Sequence, residues 1–190
     1  MKGVAWEKSY FKKIALVALL LALAAASRRF EIFRMPQGGS VNLSVVFVVT
    51  AYIILDVKGS FLFAVIYSFI VFAMEPYYRG VVQFLLDYPL AQMSLIMIKL
   101  NLTRVVKRSK IAQGLVILGA FSVKLFLHTL SGVIFFKDFA PAGKNLWIWS
   151  LSYNASYTIP EALLALVAYF SITIKFRSLF ALRGGDIDEE

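Results

Sequence analysis

Four ionisable residues lie within long apolar stretches of this sequence, where a charged group needs a specific partner. They are Asp87, Lys124, His128 and Glu161. In lipid such residues usually face a cavity or one another. Lys124 and His128 are four positions apart, so on a helix they share one face. For Lys124 and Glu161 two interpretations stay open: a polar contact that only joins helices or reaches water, or a part of a functional site.

Asp87 stands in a polar and aromatic island, Gln83–Pro89, at the start of an apolar stretch. A carboxylate beside aromatic rings suits a flat ligand that carries an amine or a positive charge. The carboxylate accepts the ligand's hydrogen bonds, and the rings stack on its planar group. The start of a helix also favours the ionised form of a carboxylate. We therefore interpret Asp87 as a ligand-binding residue, the alternative being a residue that reaches water at a helix end.

A second aromatic and polar cluster, Trp147–Tyr157, begins the last apolar stretch. An aromatic belt at a membrane interface would account for Trp147 and Tyr157. It would not account for Asn154, which lies deeper in the stretch. Because an amide offers two donors and one acceptor, Asn154 suits the edge of a heteroaromatic ring.

The segment Met35–Ser40 lies between the first two apolar stretches and contains Gly38 and Gly39 after Pro36 and Gln37. Adjacent glycines permit a tight backbone path and movement. The segment is either a plain loop or a lid over a cavity that opens to the outside.

Three alanines, Ala18, Ala22 and Ala26, recur every four residues in the first apolar stretch. Small residues on one stripe allow another helix to approach closely. The stripe packs either within this protein or against another membrane subunit.

The composition indicates a membrane protein. Hydrophobic residues make up 60% of the 190 residues and charged residues 16%, and the mean hydropathy is +0.76. A soluble domain carries roughly 25% charged residues. Since a spanning helix needs about 20 apolar residues, a chain of this length allows some six crossings and leaves no room for a soluble catalytic domain. With no cysteine and one histidine, disulfides, thiolate metal sites and multi-histidine metal sites are excluded.

Continuous apolar runs favour helices over a barrel, whose strands would alternate. The predicted fold is an all-α integral membrane protein, a bundle of six transmembrane helices. The predicted helices are Lys12–Ser27, Val41–Leu55, Ser60–Met74, Val82–Ile98, Ile111–Phe136 and Leu146–Ile174. We expect a cytoplasmic N-terminal segment (1–13), a membrane domain (14–175) and a cytoplasmic tail (176–190).

The positions of the 20 lysines and arginines predict the orientation. Basic residues concentrate on the cytoplasmic side of membrane proteins. With both termini in the cytoplasm, that side carries the majority: Lys2, Lys8, Lys12, Lys13, Lys58, Lys99, Arg104, Lys107, Arg108, Lys110, Lys175, Arg177 and Arg183. The net charge of +9 is therefore assigned to topology and lipid contact, with no nucleic acid as partner. Residues 2–26 also resemble a secretory signal, but removing them would unbalance this charge distribution.

Four segments, taken in order, resemble the thiamine-specific substrate-binding (S) components of energy-coupling factor (ECF) transporters, the ThiT/YuaJ family. They are Met35–Val41, Gln83–Ala91, His128–Phe135 and Tyr153–Tyr157. The similarity extends over about residues 14–175, with loop lengths like those of the family. At the turn between helices 2 and 3 the sequence departs, because Asp56–Gly59 stands where the family has a basic Arg-x-Gly turn.

The resemblance implies a multi-pass protein of the cell membrane with both ends cytoplasmic, and a thiamine site near the outer face that the first loop closes. It implies a transmembrane T subunit and two cytoplasmic ATPases as partners, with Ala18, Ala22 and Ala26 docking on the T subunit. Thiamine would be the transported ligand, and no cofactor or metal is implied. The sequence has no G-x-x-x-x-G-K-[ST] loop, so the chain is not itself the ATPase.

By position, the resemblance makes Asp87 the acidic ligand residue. Phe136 stands where the family tends to have a tryptophan, and Trp149 where a tyrosine is common, so a phenol hydrogen bond would be lost at Trp149. The implied ligand-binding residues are Asp87, Tyr88, His128, Asn154, Trp149, Phe136 and Tyr77, and the gating residues are Pro36, Gln37, Gly38 and Gly39.

Three other functions are considered. One is an S component for a thiamine precursor or a related pyrimidine. Another is a small membrane enzyme that uses Asp87 and His128 as acid and base, although no nucleophile–base set is visible. The third is a structural assembly subunit that binds no ligand.

Overall fold

Six helices form most of the described chain, and the predicted all-α membrane bundle is confirmed. The computed structural model describes residues 3–102, 106 and 109–182, and of residues 3–10, 102 and 176–182 it describes the backbone alone. The helices are α1 (Gly3–Ser27), α2 (Ser44–Ile54), α3 (Val57–Met74), α4 (81–102), α5 (Lys110–Phe135) and α6 (Leu146–Leu182). Among the basic residues used to predict orientation, Lys2, Arg104, Lys107, Arg108 and Arg183 lie outside the described residues.

Four helical stretches are long and apolar enough to cross a membrane: Val57–Met74, Val81–Asn101, Lys110–Phe135 and Leu146–Lys175. Only 33–39% of the apolar window in each is buried inside the protein. Large apolar side chains such as Phe126, Leu163 and Val167 are more than half exposed. This exposure fits a lipid surround, because lipid tails solvate such side chains as well as a protein interior does. Helix α2 has 11 residues, about 16 Å, roughly half the hydrocarbon thickness.

The connection between α2 and α3 is a cap followed at once by the next helix. Asp56 is the N-cap of α3, and its Oδ1 accepts a hydrogen bond of 2.7 Å from the backbone N–H of Gly59. Its Oδ2 accepts a second bond of 3.2 Å from Lys13 Nζ. The N–H of Gly59, followed by Lys13, lowers the pKa of Asp56 below its usual value. The predicted break at Asp56–Gly59 is therefore shorter than expected, because α3 begins at Val57.

Helix α4 is irregular, and proline explains why. It consists of an α-helical turn (Val81–Leu85), a π-helical turn (Leu86–Leu90), a second α-helical turn (Ala91–Ser94) and a 3₁₀-helical end (Leu95–Leu102). Pro89 has no N–H to donate and its ring crowds the preceding turn. A π-helical turn widens the helix at this place, and such turns are frequent at functional sites. Asp87 is in this turn.

The segment between α1 and α2, expected to be either a plain loop or a lid, contains a short antiparallel hairpin. It joins β1 (Glu31–Arg34) to β2 (Ser40–Asn42). All of β1 is exposed, whereas all of β2 is buried. A strand of four residues with no buried face gives no alternating pattern, so the sequence did not predict it.

The centre of the bundle consists of small residues and stacked rings. Ala24, Ala51, Ala64, Ala120 and Ala165 are fully buried, which lets helix backbones approach closely.

The rings of Tyr52, Phe63 and Tyr67 follow one another at centroid distances of 5.9 and 5.6 Å. Tyr52 donates a hydrogen bond of 3.0 Å to the carbonyl of Gln92. This contact fixes α4 against α2.

Candidate functional site

A cavity of about 400 Å³ lies at the hairpin end of the bundle, in the size range of small-molecule sites. The hairpin, α2, the C-terminal end of α3, and helices α4, α5 and α6 line it. All seven predicted ligand-binding residues line it: Tyr77, Asp87, Tyr88, His128, Phe136, Trp149 and Asn154. The four predicted gating residues, Pro36, Gln37, Gly38 and Gly39, line it as well. The structure thus brings together residues that are more than 100 positions apart, although their roles stay a prediction.

Neutral groups alone hold the carboxylate of Asp87. Its Oδ2 accepts hydrogen bonds from Gln83 Nε2 at 2.7 Å and from Ser131 Oγ at 2.8 Å. Its Oδ1 lies 3.9 Å from His128 Nδ1, too far for a hydrogen bond. Within the described part of the chain, Oδ1 has no hydrogen-bond donor. One oxygen of this carboxylate is therefore fixed by the protein, and the other is left for a ligand.

A hydrogen-bonded chain orients His128. The Tyr157 hydroxyl donates to Asn154 Oδ1 at 2.5 Å and lies 3.0 Å from His128 Nδ1. Because the phenol proton points to Asn154, we assign the remaining proton to His128 Nδ1, which donates to the phenol oxygen. His128 Nε2 is buried and has no partner among the described residues. A second proton there would have no acceptor, so this geometry favours neutral imidazole.

The amide of Asn154 is largely occupied by the protein. Its Nδ2 donates to the carbonyls of Ser150 at 2.8 Å and His128 at 3.3 Å. Its Oδ1 accepts from Tyr157 and keeps one lone pair. The sequence-based interpretation matched the amide, with its two donors and one acceptor, to the edge of a heteroaromatic ring. In this arrangement only the second lone pair of Oδ1 is free for a ligand, and Asn154 mainly fixes α6 against α5.

Aromatic rings form two walls of the cavity. On one side Tyr77 and Phe136 lie at a centroid distance of 5.4 Å. On the other side Trp149 and Tyr153 lie at 5.9 Å. Phe136 and Trp149 thus both contribute a ring to the lining. These faces can stack on a planar ligand.

Tyr88 shapes the cavity through its hydroxyl. The hydroxyl donates to the carbonyl of Glu75 at 3.0 Å and accepts from the N–H of Tyr77 at 3.2 Å. It therefore fixes the segment that follows α3, and with it the ring of Tyr77.

The tip of the hairpin covers the cavity through two tyrosines of α6. Gly38 and Gly39 have φ of 91° and 87°, in the left-handed region that glycine adopts without strain. The Tyr153 hydroxyl accepts from the N–H of Gln37 at 2.8 Å and donates to the carbonyl of Gly38 at 3.0 Å. Gly39 touches the ring of Tyr157 so closely that an added Cβ would lie 2.5 Å from Cε1. The loop is thus seated on α6.

An ion cluster lines the cavity beside the hairpin. Glu75 accepts from Arg28 Nε at 3.0 Å, from Arg28 Nη2 at 2.9 Å and from Arg34 Nη2 at 2.9 Å. Arg34 also pairs with Glu31. The hydrogen bond from Arg34 lowers the pKa of Glu31 below its usual value. The two arginines and two glutamates neutralise one another.

Lys124 and Glu161, for which two interpretations were open, form an interhelical ion pair in the cavity lining. Lys124 Nζ lies 2.6 Å from Glu161 Oε2 and joins α5 to α6. The two side chains are only 7% and 15% exposed, and both residues line the cavity. The interpretation as a helix-end residue reaching water is therefore wrong for both.

The alanine stripe lies elsewhere. Ala18, Ala22 and Ala26 are exposed on α1, and none of them lines the cavity. Among the described residues, no cluster of three or more histidine, aspartate or glutamate side chains could hold a metal ion.

Sequence reasoning missed several residues of the site. Gln83 and Ser131 hold Asp87, and Tyr153 seats the hairpin, yet none was predicted to be a site residue. A glutamine four positions before the aspartate on a helix is a signal that could have identified Gln83. The Arg28–Glu75 contact joins residues 47 positions apart, and no local pattern reveals such a pair.

Comparison with known proteins gives consistent matches. A family model described as thiamine transporter protein (Thia_YuaJ) matches residues 14–181. The thiamine transporter ThiT of Bacillus subtilis (strain 168) is 29% identical over 148 residues, which cover 70% of this chain and 74% of that protein. ThiT of Lacticaseibacillus paracasei is 32% identical over 80 residues, which cover 42% of this chain and 39% of that protein.

A solved structure of ThiT from Listeria monocytogenes has the same fold. It superposes with a TM-score of 0.71 and covers 90% of this chain and 96% of that chain. The sequence identity is 14%, so this likeness bears on the fold alone.

Proposed function

Because this chain belongs to the thiamine transporter protein (Thia_YuaJ) family, we propose that it is the substrate-binding membrane subunit of an ECF-type importer and captures thiamine from outside the cell. A transmembrane T subunit and two cytoplasmic ATPases complete the importer. Members of the family are transporters and not enzymes. Asp87 and His128 therefore serve binding rather than acid–base catalysis.

One observation carries the choice of ligand: Asp87 is a carboxylate without a cationic partner in a ring-lined cavity. The other charged residues of the described lining are paired, since Arg28 and Arg34 contact Glu75, and Lys124 contacts Glu161. Glu31 lies outside the lining but neutralises Arg34, so with a neutral His128 the lining and Glu31 together carry one net negative charge. A flat organic monocation such as thiamine complements it.

In the proposed bound state, Asp87 Oδ1 accepts a hydrogen bond from the aminopyrimidine and balances the positive charge. The free lone pair of Asn154 Oδ1 accepts from a second donor. His128, Phe136, Tyr77 and Trp149 flank the rings. The hairpin tip with Pro36, Gln37, Gly38 and Gly39 acts as the lid, and Tyr153 and Glu75 hold it closed.

The remaining steps concern the assembly. The exposed stripe of Ala18, Ala22 and Ala26 supports docking of α1 on the T subunit, because it leaves a flat surface that no other described helix covers. ATP hydrolysis in the partners would tilt the whole subunit to release thiamine inside. In the proposed orientation both termini lie in the cytoplasm, with the membrane domain at residues 14–175 between them.

Ligand identity is tested on the purified protein in detergent. Mass spectrometry of the ligand released on denaturation should detect thiamine. Competition titrations with thiamine, its mono- and diphosphate and the isolated aminopyrimidine should rank thiamine first. A protein that prefers the isolated pyrimidine would be a carrier of a precursor, and a protein that binds none of these compounds would contradict the proposal.

A further inference from the structure

The Lys124–Glu161 pair is the one buried ion pair of the described cavity lining that holds neither the lid nor a loop. It joins α5 to α6 at 2.6 Å and both side chains are largely buried. An ion pair of this kind is weak evidence for stability, because removing two charges from water offsets much of their attraction. A contact that only joined the helices could equally be apolar. The presence of charge here needs an explanation related to the cavity.

Lys124 and Asp87 line the same cavity. Lys124 and His128 are one turn apart on α5, and His128 Nδ1 lies 3.9 Å from Asp87 Oδ1. An uncompensated lysine here would cancel the charge of Asp87 and repel a cationic ligand. Glu161 prevents this by neutralising the ammonium group.

We propose that Glu161 is a specificity-determining positioning residue, which neutralises and holds Lys124 so that Asp87 alone sets the charge of the cavity. The inference rests on the proposed function, since it concerns how the same cavity selects a cation. Glu161 acts through Lys124 and does not need to touch the ligand. Its removal therefore changes the preference for a charged ligand over an uncharged one of the same shape.

The experiment compares thiamine with its uncharged isostere, in which a thiophene ring replaces the thiazolium. The measured quantity is the preference ratio, which is the Kd of the isostere divided by the Kd of thiamine. All titrations of purified protein are carried out at one neutral pH. Glu161→Gln should lower the ratio at least tenfold, because a buried unit charge near the ligand acts on the cation alone. The double variant Lys124→Met/Glu161→Gln should restore the ratio to within about threefold of the parent.

Asp56→Asn is the matched control. It makes the same change, carboxylate to amide, at another acidic partner of a lysine. Asp56 pairs with Lys13 at 3.2 Å and lies outside the cavity. Its preference ratio should equal that of the parent. Should Glu161→Gln weaken both ligands equally and leave the ratio within about threefold, Glu161 would be a packing residue only, and the proposal would be overturned.

If Glu161→Gln does not fold, Lys124→Met decides the question. It leaves Glu161 as a second uncompensated carboxylate, so the ratio should rise at least threefold, and an unchanged ratio overturns the proposal. Failure of the proposed function itself gives a different result, because the parent would then bind neither compound.

Discussion

Asp87 and Glu161 are two carboxylates of one cavity, and the protein treats them in opposite ways. Glu161 receives a cation from the protein, Lys124 Nζ at 2.6 Å. Asp87 receives two neutral donors, Gln83 and Ser131, on a single oxygen. Both are in or beside membrane-crossing helices, where an isolated charge is costly. The cost at Glu161 is offset within the fold, whereas at Asp87 it is offset only in part.

This difference identifies the place where a ligand adds most. A cation that binds beside Asp87 supplies the partner that the fold lacks, so part of the electrostatic cost becomes binding free energy. A cation beside Glu161 would compete with Lys124. The arrangement explains how a cavity with several charged residues can select a ligand by a single charge.

The largest expected effect comes from removing the carboxylate that has no cationic partner. Asp87→Asn should raise the Kd for thiamine roughly 30-fold to several-thousand-fold, because losing one buried charged contact costs about 2–5 kcal/mol. Tryptophan fluorescence can report this titration through Trp149, which lines the cavity. Asp138→Asn, an exposed carboxylate in the short turn after α5, should bind as the parent does. An unchanged affinity for Asp87→Asn would remove the distinction between the two carboxylates.

A smaller effect is expected from breaking the hydrogen-bonded chain of Tyr157, Asn154 and His128. Tyr157→Phe removes the hydroxyl between His128 and Asn154 and leaves both buried groups without this partner. Each such loss typically costs about 1–3 kcal/mol. We expect a lower unfolding temperature in detergent and about tenfold weaker thiamine binding. Tyr78→Phe, at an exposed tyrosine, is the control, and equal behaviour of the two variants would argue against the network.

Much of this site follows from the sequence, and the reason is chemical. Asp87, His128 and Asn154 stood out because polar groups are rare in apolar stretches, and the bundle brings them to one cavity. The six helices followed from apolar run length. The sequence did not reveal which polar groups form hydrogen bonds with one another. Asn154 was expected to offer its amide donors to a ligand, yet they bind carbonyls of Ser150 and His128.

The hairpin and its ion cluster were missed for a different reason. Glu75 is 47 positions from Arg28 and 41 from Arg34, so the contacts depend on how α1 and α3 end side by side. Likewise, the π-helical turn at Asp87 depends on how Pro89 is accommodated in α4. A proline predicts a break or kink, but not the kind of turn that relieves it.

The lid should respond less than the cavity walls do. Tyr153→Phe removes two hydrogen bonds to the hairpin, from Gln37 and to Gly38. Both bonds are only partly buried, so at about 0.5 kcal/mol each their loss should speed thiamine dissociation about fivefold. Stopped-flow displacement measures this rate, and association should change little. A lid that is only a passive loop would leave dissociation at the parental rate.

The smallest effect is expected for the solvent-exposed ion pair between Lys13 and Asp56. Lys13 and Asp56 are 66% and 55% exposed, and such pairs contribute about 0.2–1 kcal/mol. Asp56→Asn keeps an N-cap side chain for α3, so the variant isolates the ion pair. The unfolding temperature should fall by about four degrees at most, with unchanged thiamine affinity.

The contribution of the Lys13–Asp56 ion pair to stability depends on pH with a definite sign. Because the folded pKa of Asp56 is below its usual value of 3.8, the contribution is complete above that value and is lost as the pH falls through the lowered pKa. The difference in unfolding temperature between parent and Asp56→Asn should therefore be constant from pH 5 to 8, roughly, and disappear in stronger acid. A difference that grows on acidification would contradict this sign.

The most direct test compares thiamine with its uncharged thiophene isostere on the parent and on Asp87→Asn, by calorimetric titration at one pH. If one uncompensated carboxylate selects the cation, the parent should prefer thiamine about 30-fold or more. The variant should keep less than about a threefold preference, since stacking on the rings is common to both ligands. A parent that binds both compounds equally, or a variant that still distinguishes them as the parent does, would contradict a site built around Asp87.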